Sequence, residues 1–368
     1  RGLGDVYKRQ VLFWGEWGHP EGSLFLERGG WPVELSDLGL WGERDGEQLW
    51  ASAYRNREVF PLVAGDDLFA FHGVVGEYVD DPALVGTEEG RDLETSRDAV
   101  WLFGESCFEL VADQARPPEG VDWVFSPFDA RLWPGPRGGV AFYATAVGPA
   151  RASWYHDGEG LHRIAGEGDP CPCEEGSPFE DVIIETITND EDVIFTALVR
   201  SGTGGGIFRW TGANEPVAVS GGPAPGFPGG TLAWIDLMAA GPDGTIIYSA
   251  TVEREGQPDV DALFIRAGGR DEVLFENPGV TIFSAGAEAY VTRAFVTPDG
   301  RIGFAGELRS EGPGGDPIVE SVLWVQRADG AVDRVVQGGD PARGIDGFLF
   351  GDMAWTGYYI PSGPNRLY

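Results

Sequence analysis

The chain has 368 residues, with 42% hydrophobic and 12% aromatic side chains and a formal net charge of −33. That apolar content excludes intrinsic disorder for the bulk of the chain, and no apolar run reaches the roughly 18 residues that span a bilayer. So acidic a surface repels nucleic acid, whose binding depends on Lys and Arg neutralising phosphates.

Residues 1–10 are set aside from fold reasoning. The run Asp5 to Gln10 resembles a translated sequencing adapter, and Lys8 within it is the only lysine of the chain. At the other end, Pro364 to Tyr368 reads as the opening of one more strand. The expectation is therefore a fragment of a longer product.

From Val11 onward, alternating runs of four to eight residues rich in Val, Ile, Phe, Trp and Thr are separated by Gly- and Pro-rich turns. One phrase returns along the chain: a turn, then an alternating strand with an aromatic residue near its middle. The aromatics are Phe71, Phe142, Phe195, Tyr248 and Phe304, spaced by 71, 53, 53 and 56 residues. One unit reads in full as strands Gly206–Trp210, Pro216–Ser220, Leu232–Met238 and Thr245–Val252. Four strands in about 55 residues is the grammar of a β-propeller blade.

The predicted fold is thus all-β: a single propeller domain over 11–368, with units near 22–75, 98–147, 152–199, 206–252, 261–308 and 321–368. This counts six four-stranded blades, or seven in a longer native chain, with the aromatic strand last in each unit. Val11–Trp17 is expected to supply the strand missing from the final unit and close the ring. Residues 76–97 form an acidic insertion, read as a solvated excursion.

The phrase Asn/Asp-x-x-Gly-x-x-Ala-Phe, with Gly-Asp-Pro between the second and third strands, resembles bacterial tandem-repeat proteins named for an NxxGxxAF motif. The resemblance implies a secreted or surface-anchored location and no catalytic residue. The copies vary. Asn189 to Phe195 carries Asp192 at the glycine position, and Asp243-Gly244 and Asp299-Gly300 shift the turn by one residue.

No reaction is legible. A chain lacking lysine after residue 8 has neither a Walker loop nor Schiff-base chemistry, and neither HExxH nor Gly-x-Ser-x-Gly occurs. His72 and His162, on strands, read as packed or strand-face residues; His19 and His156 complete the set. Cys171-Pro-Cys173 offers two of the four ligands zinc usually takes. The three cysteines, with Cys107, read as incidental, and a Cys107–Cys171 disulfide is argued against by their turns lying on opposite faces. Asp169, Asp190 and Asp192 are the only suggestion of Ca²⁺, and solvated turns explain them equally. The recurrent aromatics read as core, not as a sugar-stacking platform. No catalytic, cofactor-binding or metal residue is assigned.

These readings point to a non-catalytic, monomeric, extracellular or surface-displayed module that binds a polysaccharide or protein and inserts in no membrane. The alternative is a hydrolase or lyase acting on an extracellular polymer through carboxylates on one axial face, paired about 5–9.5 Å apart.

Overall fold

The computed structural model describes residues 11–15, 23–28, 31–34, 40–44, 47–53, 62–63, 69–77, 79–81, 83, 94, 97–103, 108–113, 132–135, 137–145, 151–173, 177–200, 204–276, 288–296, 301–311, 317–326, 332–337 and 340. The chain divides into two compact units, residues 1–169 and 170–368.

In the first unit, β1 (Val11–Gly15), β2 (Ser23–Arg28) and β3 (Trp31–Glu34) form one sheet. A larger sheet runs through β4 (Leu40–Arg44), β5 (Glu47–Ala53), β7 (Phe69–Glu77), β8 (Arg97–Phe103) and β9 (Phe108–Asp113), with β6 (Leu62–Val63) also paired to β7. A third holds β10 (Leu132–Pro134), β11 (Val140–Thr145), β12 (Arg151–His156) and β13 (Leu161–Gly166).

The second unit contains three four-stranded sheets in strict chain order. The first is β14 (Phe179–Ile187), β15 (Val193–Val199), β16 (Gly204–Trp210) and β17 (Asn214–Val219). Next come β18 (Thr231–Ala240), β19 (Ile246–Glu253), β20 (Val260–Ala267) and β21 (Arg270–Glu276). Last are β22 (Glu288–Val296), β23 (Ile302–Glu311), β24 (Pro317–Gln326) and β25 (Val332–Gln337). The fold is all-β, and its four-stranded antiparallel meanders are β-propeller blades.

The sheets correct the phase of the repeat. Each joins the last two strands of one sequence unit to the first two of the next, so the aromatic strand is an interior second strand. Connector length explains the shift. Only residues 200–203 separate β15 from β16, a hairpin, whereas residues 220–230 separate β17 from β18, long enough to cross to a new sheet. Residues 78–96, most of the acidic insertion, connect β7 to β8, which pair directly. The expected ring closure involves residues 341–368, outside the described residues; β1 pairs with β2.

Opposite each central aromatic stands a second one: Phe142 faces Trp154, Phe195 faces Phe208, Tyr248 faces Phe264 and Phe304 faces Trp324. All eight are nearly or fully buried. Phe195 and Phe208 stack at 5.3 Å with planes 18° apart, and Tyr248 and Phe264 at 5.0 Å and 15°. Strand alternation sends the neighbouring residues to the other face. Ile194 and Ile207 therefore pack with the next sheet's Tyr248 and Phe264, and Ile247 and Leu263 with Phe304 and Trp324 of the sheet after that. In the first unit, Val100 and Leu102 meet Phe142 and Trp154 in the same way.

The first hairpin of these sheets uses one turn. The fourth-residue N–H of each turn returns to its first carbonyl: Gly138 to Gly135, Glu191 to Thr188 and Gly244 to Gly241. Gly138, Glu191 and Gly244 all have positive φ, of 97°, 69° and 80°. The glycine position is therefore Glu191, four residues before the aromatic, and not Asp192; the turns are in register. Asp192 instead turns its carboxylate to the Arg209 guanidinium.

Two stability measurements follow from this packing. Phe195→Ala is expected to cost about 3–5 kcal/mol in urea unfolding, as for an aromatic truncated in a core; a loss below about 1 kcal/mol would contradict the packing. Glu191→Gly, which relieves a left-handed backbone, is expected to stabilise by about 1 kcal/mol, read as a raised Tm.

Candidate functional site

The first two sheets of the second unit meet through Ile194, Ile207 and Ala218. Farther along β15 the same face carries Thr196 and Leu198, and there the two sheets leave a cleft of about 720 Å³. Its β16 wall is bare backbone, Gly204–Gly206. A Cβ at Gly205 would lie 2.4 Å from the Ala197 carbonyl oxygen, and Gly204 has φ of 119°. Side chains are excluded here by contact and by conformation.

The facing wall is the start of β18. Its pairing jumps from Ala233 opposite Thr251 to Asp236 opposite Ser249, so Trp234 and Ile235 together oppose Ala250. Such a bulge re-aims side chains. Trp234 takes φ of 50°, rare for a bulky residue, and is 84% exposed at the cleft. Ile183 and Leu198 nearby are about half exposed.

Carboxylates supply the charged groups of the cleft: Asp181, Glu185, Asp236 and Glu253, with no basic side chain among the described residues that line it. Glu185 accepts the Thr196 hydroxyl at 2.9 Å, and Asp181 accepts the Val182 N–H at 3.0 Å. An exposed indole among acceptors, with no cation, suits a ligand that has an apolar face and hydroxyl donors.

The residues weighed from sequence lie elsewhere. The carboxylate of Asp169 accepts the Gly166 N–H at 2.8 Å and pairs with Arg163 at 2.9 Å. In the matching loop, Asp340 accepts the Gln337 N–H at 2.9 Å. The Asp of Gly-Asp-Pro is thus a turn-former. Asp190 is exposed. His162 Nε2 lies 2.7 Å from Asp157. Slight burial pushes the Asp157 carboxyl up, but N–H groups of Glu159 and Gly160 together with His162 outweigh it and hold the carboxyl below its ordinary range. His156 is buried, with Nδ1 accepting the Gly158 N–H. His72 stands opposite Val100 in the ladder; His19 and Cys107 fall outside the described residues. The recurrent aromatics Phe142, Phe195, Tyr248 and Phe304 are core.

Two features escaped the sequence reading. Cys171 and Cys173 form a disulfide, with Cα atoms 5.2 Å apart, which corrects the reading of them as incidental. Trp234 lay inside an ordinary-looking strand, and the side-chain identities around it give no sign of the bulge. A further trio, buried at Tyr248 and partly exposed at Arg266 and Asp271, serves structure. Tyr248 donates to Asp271 at 3.4 Å, and Arg266 bonds both Asp271 and the Val217 carbonyl of the preceding sheet. Burial, then the Asp271 charge, pushes the Tyr248 phenol up. Burial also raises Asp271, against the pull of Arg266 and Tyr248.

Among the described residues, no three acidic, His or Cys side chains converge to hold a metal ion, and no helix is long and apolar enough to cross a membrane. Residues 80–357 match the family of unknown function DUF7453, and the chain belongs to that family. No curated protein matches the sequence. Among solved structures, the chain is similar to a protein of unknown function from Dyadobacter fermentans DSM 18053. Identity is 12%, coverage 84% of this chain and 85% of that one, and the TM-score 0.30. It is also similar to an α-L-arabinanase from Penicillium chrysogenum complexed with arabinobiose, at 12% identity, 82% and 85% coverage and a TM-score of 0.30. Likeness at this level assigns no activity to this chain.

The backbone at Trp234 gives a check independent of any ligand. Trp234→Gly is expected to be more stable than Trp234→Ala by about 1 kcal/mol, because only the glycine relieves the left-handed conformation. Equal Tm values for the two variants would contradict it.

Proposed function

We propose that this member of the DUF7453 family is a non-catalytic, secreted or surface-displayed module that binds an uncharged polysaccharide in the Trp234 cleft. The observation that carries this reading is Trp234 itself: 84% exposed and left-handed at the edge of a cleft of about 720 Å³. A core has no use for an indole in that setting, whereas a sugar ring stacks its apolar face on one and directs hydroxyls to flanking carboxylates. The absence of basic residues from the lining disfavours sulfated or uronic polymers.

The carboxylates Asp181, Glu185, Asp236 and Glu253 favour one competing reading, a polysaccharide hydrolase or lyase using the same cleft. Pull-down on insoluble polysaccharides and a soluble glycan array, each with a reducing-end assay, separate the two. Binding by the wild type, weakened at least about tenfold in Trp234→Ala and without release of reducing ends, is the expected result. Reducing-end release lost in Glu185→Gln or Asp236→Asn would establish the enzyme. Binding unchanged in Trp234→Ala would remove the cleft from the account.

A further inference from the structure

We propose that Cys171–Cys173 is a thiol–disulfide exchange centre that takes thiols as substrates, and not a structural crosslink. The fold supplies its own control. Loop 166–178 has a counterpart in loop 219–231, where Ala224 occupies the place of Cys171. The Cys171 N–H closes its loop on the Ser177 carbonyl at 2.8 Å, and the Ala224 N–H closes the other on Gly230 at 2.9 Å. Both loops are pinned by an isolated bridge one residue earlier, Pro170 to Pro178 and Pro223 to Thr231. Cys171 and Ala224 are buried alike, at 5% and 6% exposure. A chain that closes this loop without sulfur has no need of a disulfide to shape it.

A crosslink between residues two apart also constrains the unfolded chain least, since stabilisation by a disulfide grows with the loop it closes. What the pair does have is asymmetry. Cys173 is only partly buried, whereas Cys171 is buried, which assigns the substrate's attack to Cys173. The backbone N–H of Cys173 donates to the Cys171 sulfur at 3.1 Å. A thiolate leaving at Cys171 therefore departs onto a donor already in place, which favours the charged form.

The exchange balances in two steps. A substrate thiolate attacks Cys173 Sγ, forming a mixed disulfide; the Sγ–Sγ bond breaks and its electron pair goes to Cys171 Sγ. A second substrate thiolate attacks the substrate sulfur of the mixed disulfide and releases Cys173 as thiolate. Two thiols become one disulfide, and the protein gains two electrons and two protons. A more oxidising low-molecular-weight disulfide, run through the same steps in reverse, restores Cys171–Cys173.

The test equilibrates the intact protein with mixtures of reduced and oxidised glutathione, traps thiols by alkylation and reads them by mass, with Tm followed in parallel. The same protein is added to a dithiol reporter peptide with glutathione disulfide as oxidant. Expected are interconversion of the two states, a Tm shift below about 1 °C on reduction, and reporter oxidation accelerated at least about tenfold. Cys173→Ser should abolish the acceleration, and C171A/C173A should fold with wild-type Tm while remaining inactive. Acceleration with glutathione alone but not with the peptide would restrict the substrate to small thiols, and the reverse to protein thiols; either supports exchange. The proposal is overturned if the disulfide survives excess reduced glutathione. It is equally overturned if reduction lowers Tm by more than about 4 °C, as loss of a structural crosslink does, or if neither substrate is accelerated.

Discussion

The rest of the structure depends on one contact made four times: an aromatic of the second strand standing across the ladder from an aromatic of the third. Phe142 and Trp154, Phe195 and Phe208, Tyr248 and Phe264, and Phe304 and Trp324 share that register, and position 71 of β7 stands opposite position 101 of β8 in the same way. Cross-strand aromatic pairs contribute beyond their area burial, but their larger effect here is directional. With the pair fixed on one face, strand alternation delivers Ile194 and Ile207, or Ile247 and Leu263, to the other face, where the next sheet's pair must cover them. Within each unit, one sheet's outward face is thus the floor that the next sheet's pair covers.

The same register controls the fourth strand. In these four sheets, and between β8 and β9 of the larger one, the pairing with the outermost strand slips at the aromatic, between Val100 and Trp101, Ser153 and Trp154, Ile207 and Phe208, Leu263 and Phe264, and Leu323 and Trp324. One extra residue of the outer strand is accommodated each time: Val111, Ile164, Val217, Leu274 and Val335. A bulge at a fixed place bends and twists the outer strand, so the sheets share a twist as well as a period. Two residues beyond the aromatic pair the partners are small, Ala144 with Ala152, Ala197 with Gly206 and Ala250 with Ala262.

What was legible in the sequence follows from this division. Aromatic spacing and strand alternation are properties of side-chain identity, so the period, the four strands of the 206–252 unit to within one or two residues at each end, and the burial of Phe142, Phe195, Tyr248 and Phe304 could be read directly. Phase could not, because a period is unchanged when its starting strand is moved; the lengths of residues 200–203 and 220–230 decide it. Backbone conformation was harder still. Asp192 looked like the glycine substitute because side-chain lists cannot show that Glu191 carries the positive φ. Trp234 was hidden for the same reason: one bulge turns a strand residue that ought to be packed into one that meets solvent. The Cys171–Cys173 bond depends on a turn bringing two Cα atoms to 5.2 Å, which spacing alone leaves open.

Trp234 and the cysteines share a location in the repeat, and that location has a physical cause. Both lie at or just past the connection from a fourth strand to the first strand of the next sheet: Cys171 sits in one such loop, and Trp234 is in β18, four residues beyond Gly230, which closes the equivalent loop. Hairpins within a sheet are constrained by the aromatic register on both sides, and a one-residue change there would turn the core face outward. The crossover is free of that constraint. It is held by a few backbone bonds, by the Asp of Gly-Asp-Pro returning to an N–H three residues earlier, and by one small buried side chain, Ala224 or Cys171. Everything else in the crossover can vary without disturbing an aromatic pair. In a repeat whose interior tolerates so little, room for variation collects where one sheet hands over to the next.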